Sequence, residues 1–343
     1  MNNSLRQEPA LKINKAEKQF PISEILAEKG FKRIMAQDLI NLEFKWLIES
    51  FLPKQSLVMI YAGAGAGKSY FVLYLSKFLL ENNKIKDIIY LDADNARTSL
   101  KERRVEVFLQ MSNFHYHFAN NYNKYTIFKD MQEANNLNDT LIIIDSIRNF
   151  IQYDFNKDFA MVKFFDELQK LRDNGASIIF LHHQPKQTQD ENNKIYKGAT
   201  AFLDSVDEGY FLDKKDIKEN EEFIILLEPQ KRRFKTKPCA FKIDTKNQSF
   251  DFVNYLKYSE NQKSQITLSL VMDILSEYKE GLNQQDLAKE IKKRVELDYI
   301  EIVGRNALWK LLNKYKDIYF SIVYESSQNR GGKKKIFKLL NIF

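Results

Sequence analysis

The sequence predicts an α/β fold in which a mainly parallel sheet is flanked by helices and a smaller C-terminal unit follows. Three observations lead to this prediction. Short apolar runs alternate with helical patterns between residues 56 and 183, a glycine-rich turn follows the first run, and a polar joint at residues 259–265 precedes new helical patterns. Such alternation is typical of parallel sheets, whose strands are buried on both faces and therefore form nearly continuous apolar runs.

The composition favours a globular protein without disulfides. The 343 residues carry a formal net charge of +7, and 44% of them are hydrophobic. One cysteine, Cys239, excludes an internal disulfide and fits a reducing compartment. The apolar runs are too short for a membrane span or signal peptide, so we expect a cytoplasmic protein without a membrane partner. The moderate positive charge is compatible with a polyanionic partner but does not by itself indicate one.

The elements follow in order along the chain. Residues 1–45 form an N-terminal extension, and amphipathic pieces between residues 20 and 51 predict a helical lead-in. The expected strands are LVMIY (57–61), DIIYLD (87–92), TLIIID (140–145) and SIIFLH (177–182). The clearest helical patterns between them are SYFVLYLSKFLL (69–80) and FAMVKFFDELQKLRDNG (159–175).

The glycine-rich turn has the composition of a phosphate-binding loop. Residues 62–69 read AGAGAGKS between a strand and a helix, and they depart from the pattern G-x-x-x-x-G-K-[ST] only at Ala62. Glycines let several backbone N–H groups converge on a phosphate, with a helix N-terminus behind them and a lysine reaching across. We expect ATP to be bound by Gly63, Ala64, Gly65, Ala66, Gly67, Lys68, Ser69 and Tyr70. Lys68 would bridge the β- and γ-phosphates, and Ser69 would hold Mg²⁺.

A carboxylate at the end of another buried strand completes the expected metal site. Asp145 follows four apolar residues. A charge in that position is costly unless it lies at the exposed carboxyl edge of the sheet. We therefore expect Ser69 and Asp145 to hold Mg²⁺ and its water shell. An ordinary strand-end aspartate is the alternative interpretation.

Further segments accompany the loop and Asp145. They are WLIESFLPKQS (46–56), IIYLDAD (88–94), ASIIFLHH (176–183), KGATAFLDSVD (197–207) and EPQKRR (228–233). Together these segments resemble RecA-like hexameric ATPases, above all the plasmid-replication RepA helicases and more distantly the DnaB-type replicative helicases. The resemblance spans about residues 46–252. It implies a RecA-like P-loop domain at 46–258 that assembles into a ring, with a hexamer expected, hydrolyses ATP and moves on single-stranded DNA.

The resemblance also implies roles for individual residues. Asp94, with Asp92 nearby, corresponds to the acidic residue that activates the attacking water. His183 corresponds to the sensor of the γ-phosphate, and Lys231 with Arg233 to the element that reaches a neighbour's ATP. Each of these assignments has an alternative that does not depend on the resemblance. Asp92 and Asp94 could be solvated residues at the end of a strand, and His182 or His183 could be a core residue. Lys231 and Arg233 could belong to a surface cluster of basic residues.

Two other features leave alternatives open. The polar segment 184–197 reads either as a DNA loop in the central channel or as a long solvated connection. The spacing of His115 and His117 places both on one face of a strand, but no third metal ligand is evident.

Residues 266–343 contain three helical patterns followed by two strand-like runs around a glycine turn, an order that resembles a winged helix. In that fold the second helix of the helix-turn-helix pair enters the major groove, and the hairpin can lie along phosphates. The expected duplex-contacting residues are Arg305, Asn306, Lys310, Arg330, Lys333, Lys334 and Lys335. Winged helices also bind proteins, so a protein-interaction module is the alternative.

The sequence as a whole predicts a Mg²⁺-dependent ATPase and DNA helicase or translocase that acts in DNA replication. One alternative is a RadA-like recombination or repair ATPase, in which ATP governs assembly. The other alternative is a DNA-binding regulator whose nucleotide site serves only as a switch.

Overall fold

A computed structural model gives the fold of the chain. The residues that the structure describes are 21–31, 33–119, 122–134, 136–151, 158–183, 200–218, 221–326 and 333–340. The polar segment 184–197, for which a DNA loop and a solvated connection are the two interpretations, lies outside this description, as do Arg330 and the side chain of Lys333. The chain divides into two compact units, residues 1–44 and residues 45–343.

The secondary structure is numbered in chain order. The strands are β1 (Trp46–Ile48), β2 (Leu52–Pro53), β3 (Leu57–Ala62), β4 (Asp87–Asp92), β5 (Phe114–Phe118), β6 (Thr140–Asp145), β7 (Ser177–His183), β8 (Glu208–Lys218), β9 (Glu222–Arg232), β10 (Cys239–Asp244), β11 (Ser249–Val253), β12 (Leu282–Asn283), β13 (Phe320–Ser326) and β14 (Lys333–Leu339). The α-helices are α1 (Pro21–Glu28), α2 (Ala36–Ile40), α3 (Lys68–Glu81), α4 (Arg97–Glu102), α5 (Ile127–Asp130), α6 (Asp158–Asp173), α7 (Thr200–Ser205), α8 (Tyr255–Ser259), α9 (Gln262–Glu277), α10 (Gln284–Asp298) and α11 (Arg305–Lys314). Short 3₁₀ helices cover Val105–Gln110, Tyr122–Tyr125, Met131–Glu133 and Ile147–Phe150. Among these described helices, none has the length and apolar character required to cross a membrane.

The main sheet has nine strands in the order β11-β10-β9-β8-β3-β7-β6-β4-β5. The pairings from β8 through β5 are parallel, whereas β8, β9, β10 and β11 pair with one another in antiparallel fashion. The predicted mainly parallel sheet flanked by helices is therefore confirmed. Ligands of such sheets bind in the crevice at the carboxyl ends of the strands.

Helices cover both faces of the parallel strands. Leu141 and Ile143 of β6 pack in the hydrophobic cluster that contains α3, whereas Ile142 and Ile144 pack in the cluster that contains α6. All four side chains are 0% exposed. Because both faces of the strand are buried, the sequence shows a continuous apolar run instead of a polar alternation.

The segment around residues 46–53 differs from the predicted helical lead-in. It forms β1 and β2, an antiparallel pair, while helices are confined to α1 and α2 before it. Leu47, Phe51 and Leu52 are buried in the same cluster as α3. Tertiary packing of these three side chains therefore outweighs the local helical pattern.

The sheet extends further than the apolar runs predict. At one edge β5 pairs with β4, and its buried Phe114 is followed by the exposed His115 and His117, the alternation of a strand with one solvated face. Nε2 of His115 lies 3.5 Å from Oδ1 of Asp87. Across the described ranges there is no group of three His, Cys, Asp or Glu side chains able to hold a metal ion. The histidine pair is thus part of a sheet edge.

The C-terminal segment consists of α9, α10 and α11 followed by a small sheet of order β12-β14-β13. Helix α9 begins at Gln262, inside the predicted joint, because the side chain of Asn261 caps it by accepting from the N–H of Ser264. Side chains of these helices share one hydrophobic cluster with Ile224 and Leu226 of β9. The division into separate domains at 46–258 and 266–343 stays a prediction.

Candidate functional site

The glycine-rich loop joins β3 to α3 at the carboxyl edge of the sheet. Gly65 and Gly67 have φ angles of +75° and +85°, in the left-handed region that favours glycine. A Cβ atom on Gly67 would also lie 3.3 Å from side-chain atoms of Ile225 and Lys214. Ala62 differs, because it is the last residue of β3 and pairs in register with His183. Its backbone is extended, so alanine can replace the first glycine of the pattern.

Lys68 is the buried cation of the loop, with 5% of the residue exposed. Its Nζ atom donates hydrogen bonds to the carbonyl oxygens of Ala62 (3.1 Å) and Gly63 (2.8 Å). Burial lowers the pKa of Lys68 to about 8, although the charges of Asp145 and Asp94 act in the opposite direction. The ammonium group is therefore charged at neutral pH and begins to lose its proton in mildly alkaline solution.

Asp145 lies at the end of β6, next to the first turn of α3. It is 2% exposed and accepts hydrogen bonds from the hydroxyls of Ser69 and Tyr90, the latter at 2.8 Å. Burial raises the pKa of Asp145, and the charge of Asp92, its register partner on β4, adds to this effect. Ser69 and Asp145 thus bring one hydroxyl and one carboxylate together beside the loop.

The turn after β4 places the two candidate acids, Asp92 and Asp94, in different environments. Oδ1 of Asp92 accepts hydrogen bonds from the backbone N–H groups of Asp94 (2.9 Å) and Asn95 (3.0 Å), and Oδ2 accepts one from the hydroxyl of Tyr116. Asp92 is 0% exposed and shapes the turn. The side chain of Asp94 is 38% exposed. The geometry therefore favours Asp94 over Asp92 as the residue that can reach a water molecule.

The two histidines at the end of β7 differ in environment. Nδ1 of His183 lies 3.3 Å from Nζ of Lys68, and Nε2 lies 3.1 Å from Oδ2 of Asp94. An ammonium group only donates, so Nδ1 accepts and Nε2 carries the proton. His182 instead packs against the ring of Phe202, with 4.5 Å between ring centroids, and burial lowers its pKa to about 4. His183 is thus the site residue, whereas His182 belongs to the core.

Three further residues complete the site. The side-chain amide of Asn95 donates to Asp145 at 3.3 Å, and its oxygen accepts a 2.7 Å hydrogen bond from Arg103. The amide of Asn149 donates to Oδ1 of Asp94 at 3.1 Å. The roles of the two asparagines cannot be read from the sequence, because their contacts depend on which strands are neighbours.

Comparison with known proteins adds a family match. A family model described as AAA domain matches residues 42–189. Similar solved structures include a DnaB-like replicative helicase (12% identity, 68% of this chain and 72% of that chain covered, TM-score 0.49). They also include the RadB recombinase (17%, 59% and 92%, TM-score 0.40) and a KaiC-like protein from Pyrococcus horikoshii (14%, 59% and 91%, TM-score 0.40). A search among curated proteins found no significant match.

The strand order of this chain and the glycine-rich loop between β3 and α3 give the core the architecture of a P-loop ATPase. The family match covers the P-loop, the turn after β4 and the end of β6, which are the segments that carry the site.

The residues of this ATPase domain fit a nucleotide with Mg²⁺. Cβ atoms on Gly63 and Gly65 would meet no atom within 4 Å, so the loop backbone is open to a phosphate group. Mg²⁺ in proteins takes one or two carboxylates, with phosphate and water oxygens completing its octahedron. Ser69 and Asp145 supply such oxygen atoms beside the loop. Lys68 supplies the cation that the phosphates require.

Lys231 and Arg233, which are predicted to reach the ATP of a neighbouring subunit, lie at the opposite end of the parallel strands from the P-loop. Arg233 forms an ion pair with Asp207, and Oδ2 of Asp207 accepts the N–H of Leu57, the first residue of β3. Five residue steps of an extended strand, roughly 17 Å, separate Leu57 from Ala62 at the P-loop. Lys231 donates to the carbonyl oxygen of Asp204. The structure thus does not bring these two residues to the P-loop of their own chain.

The predicted DNA-contacting residues lie on α11 and β14. Leu308, Leu311 and Leu312 are buried, whereas Arg305, Asn306 and Lys310 are exposed. Lys334 of β14 is exposed and pairs in register with Glu325. Lys335 is half-buried, with Nζ 5.9 Å from the centroid of the Tyr324 ring.

Proposed function

We propose that the protein is a Mg²⁺-dependent ATPase that works as a DNA helicase or translocase in replication, assembled as a ring of the RepA type. One observation carries this proposal. Lys68, Ser69, Asp145, Asp94 and His183, which come from four separate segments of the chain, lie together at the carboxyl edge of the parallel strands. This set combines a cation that binds the phosphates, oxygen atoms that bind the metal, a base for the attacking water and a sensor of the γ-phosphate.

Each residue has a defined task in the proposed hydrolysis. Backbone N–H groups of the P-loop and the Lys68 ammonium bind the β- and γ-phosphates, while Ser69 and Asp145 hold the metal. When bound, Mg²⁺ supplies positive charge that offsets the charge of the phosphates. Asp94 accepts a proton from the attacking water, and its hydrogen bonds keep the pKa of this carboxyl below its ordinary value, so it is ionised at neutral pH.

Lys231 and Arg233 are proposed to act on the nucleotide of a neighbouring subunit. The length of β3 that separates Arg233 from its own P-loop supports a role in trans. A guanidinium from the neighbour stabilises charge that develops on the transferred phosphate, and it couples hydrolysis to assembly. Arg233 is 57% exposed at the side chain, which leaves it accessible to another subunit.

The C-terminal segment is proposed to be a winged helix that contacts duplex DNA through Arg305, Asn306, Lys310 and the β14 lysines. Exposure of the three α11 residues supports this proposal. Positive side chains presented together neutralise phosphates and release counterions. The ring would hold single-stranded DNA.

The proposal is tested by ATP hydrolysis with and without single-stranded DNA, together with mass measurement of the assembled protein. The variants are Lys68→Ala and the control Lys77→Ala. Lys77 lies on the same helix and pairs with Glu81 at 2.7 Å. We expect DNA-stimulated turnover by an oligomer, abolished in Lys68→Ala and retained in Lys77→Ala.

Other outcomes would favour the alternatives. A monomer that binds ATP and DNA without turnover would contradict the motor and favour a nucleotide-gated regulator of replication. Turnover without strand displacement, together with ATP-dependent filament assembly, would favour a RadA-like ATPase.

A further inference from the structure

Asn149 connects two of the strands that build the ATPase site. It lies in the 3₁₀ turn Ile147–Phe150, four residues after Asp145 at the end of β6. Its side-chain amide donates to the carbonyl oxygen of Ala93 at 3.0 Å and to Oδ1 of Asp94 at 3.1 Å. Both acceptors belong to the turn after β4, so one side chain holds the backbone and the carboxylate of that turn.

The position of Asn149 is itself well determined. Its neighbours Ile147 and Phe150 are 0% and 2% exposed and pack in the hydrophobic cluster that contains α6. The backbone N–H of Asn149 donates to the carbonyl oxygen of Ser146 at 3.1 Å. The turn is thus anchored on both sides by apolar packing, which fixes the place from which the amide acts.

The two oxygens of Asp94 have different partners. Asn149 donates to Oδ1, whereas His183 contacts Oδ2 at 3.1 Å. The side chain is 38% exposed, and an exposed aspartate without such partners samples several rotamers. The Asp94 side chain is short, so a small rotation moves its oxygen away from a given water position.

We propose that Asn149 is a positioning residue for hydrolysis, which orients the carboxylate of Asp94 and sets its distance from Asp145. This inference depends on the proposed function, because it assigns a partner to the proposed base. Asn149 holds Asp94 while the N–H of Ala93 donates to the carbonyl oxygen of Asp145 at 2.8 Å. The metal-binding carboxylate of Asp145 and the proton-accepting carboxylate of Asp94 are thereby kept at a constant distance from each other.

The test compares Asn149→Ala with the matched control Asn113→Ala. The amide of Asn113 also joins two segments, by donating to the carbonyl oxygen of Lys86 at 2.8 Å, but it lies at the amino edge of the sheet. We expect Asn149→Ala to lower kcat by about tenfold or more while KM for ATP changes little, since misplacement of a reacting group mainly affects the chemical step. Asn113→Ala should keep the wild-type kcat.

A double-variant cycle separates positioning from a structural effect. In an Asp94→Asn background, which has no base to orient, we expect Asn149→Ala to cause no further loss of kcat. An equal loss in both backgrounds, or a wild-type kcat for Asn149→Ala, would overturn the inference. Absence of turnover in the wild-type protein would instead overturn the proposed function.

A second measurement does not depend on turnover. Titration of the Asp94 carboxyl by ¹³C NMR should show its midpoint rise in Asn149→Ala, because the variant removes a hydrogen bond that favours the ionised form. An unchanged midpoint would show that the amide does not hold the carboxylate in solution and would overturn the inference.

Discussion

Nε2 of His183 lies 3.1 Å from Oδ2 of Asp94, although 89 residues separate them in the chain. The other ring nitrogen of His183 contacts Lys68, so the imidazole connects the P-loop cation with the proposed base. A phosphate bound in the loop competes for the same ammonium group. We therefore infer that binding of ATP alters the hydrogen bonding of His183, which is the physical requirement for a γ-phosphate sensor.

Replacement of His183 by alanine tests this connection. We expect kcat to fall by about tenfold to a hundredfold, because Oδ2 of Asp94 loses its partner, while the Kd for ATP changes little. Steady-state hydrolysis and equilibrium nucleotide binding measure the two effects. The control is His117→Ala, an exposed histidine of β5. A wild-type kcat in His183→Ala would contradict the sensor assignment.

Asp145→Asn is expected to separate activity from stability. Burial raises the pKa of Asp145 in the folded state, so its stabilising contribution is present at acid pH and is lost as pH rises through that pKa. At neutral pH the buried carboxylate therefore costs free energy, and an amide removes that cost. We expect hydrolysis to be abolished and Tm at pH 7 to rise by roughly 2 °C. Thermal unfolding at pH 7 and pH 4 should show a larger gain at the higher pH, where more of the buried carboxyl is ionised.

The pH dependence of ATP affinity should follow Lys68. Its pKa is lowered to about 8 by burial, and bound phosphate charges raise it again, so binding takes up a proton above this pH. We expect Kd for ATP to be nearly constant between pH 6.5 and about 7.5 and to increase above about pH 8, by up to about tenfold per pH unit. Calorimetry in buffers of different ionisation enthalpy measures the proton uptake. A flat profile to pH 9.5 would contradict this mechanism.

The trans role of Arg233 predicts complementation between inactive subunits. Arg233→Ala should lower kcat by about 10³-fold, as loss of a trans arginine does in related chemistry. A mixture of Arg233→Ala and Lys68→Ala subunits forms some interfaces that pair an intact P-loop with an intact arginine, so turnover should reappear on mixing. Activity of the mixture that equals the sum of the separate variants would indicate that Arg233 does not act in trans.

The Arg233 change should leave the fold intact. Asp207, to which Arg233 pairs, also accepts a hydrogen bond from Arg172 at 3.2 Å, and the Arg172 side chain is 20% exposed against 57% for Arg233. Asp207 thus keeps a buried partner after Arg233 is removed. The matched variant Arg172→Ala should lower Tm more than Arg233→Ala.

DNA contact by the C-terminal segment predicts a change in salt dependence. Each lysine that neutralises a phosphate contributes about 0.9 to the slope of log K against log salt concentration. Lys310→Ala and Lys334→Ala should each weaken duplex binding and reduce the slope by about that amount. Lys338→Ala, whose ammonium lies 3.4 Å from Glu280, should not change the slope. Fluorescence anisotropy between about 50 and 300 mM salt measures the slope for each variant. Unchanged slopes in all variants would contradict phosphate contact.

Local patterns account for much of the fold. The apolar runs predict β3, β4, β6 and β7 because a strand buried on both faces needs apolar residues throughout. Asn283 caps α10 by a similarly local contact, since its side chain accepts the N–H groups of Gln285 and Asp286. The P-loop is recognisable because its glycines, lysine and serine are adjacent in the sequence.

Long-range pairing accounts for what these patterns miss. β5 has only one buried face, so it carries no continuous apolar run, and the packing that turns residues 46–53 into strands depends on contact with α3. Asn149 shows no distinguishing pattern in its own segment. Its role becomes visible only because β6 and β4 are neighbours, which brings the two turns together.

The mainly parallel architecture, the phosphate-binding loop and the acid at the end of β6 can be read from the sequence, since each depends on residues close together in the chain. The fold was needed to show that His183 and not His182 faces Lys68, that Asp92 is buried while Asp94 is accessible, and that Arg233 lies at the opposite end of the parallel strands from the P-loop. Strand order and register set these relationships, and both arise from packing between residues far apart in the sequence.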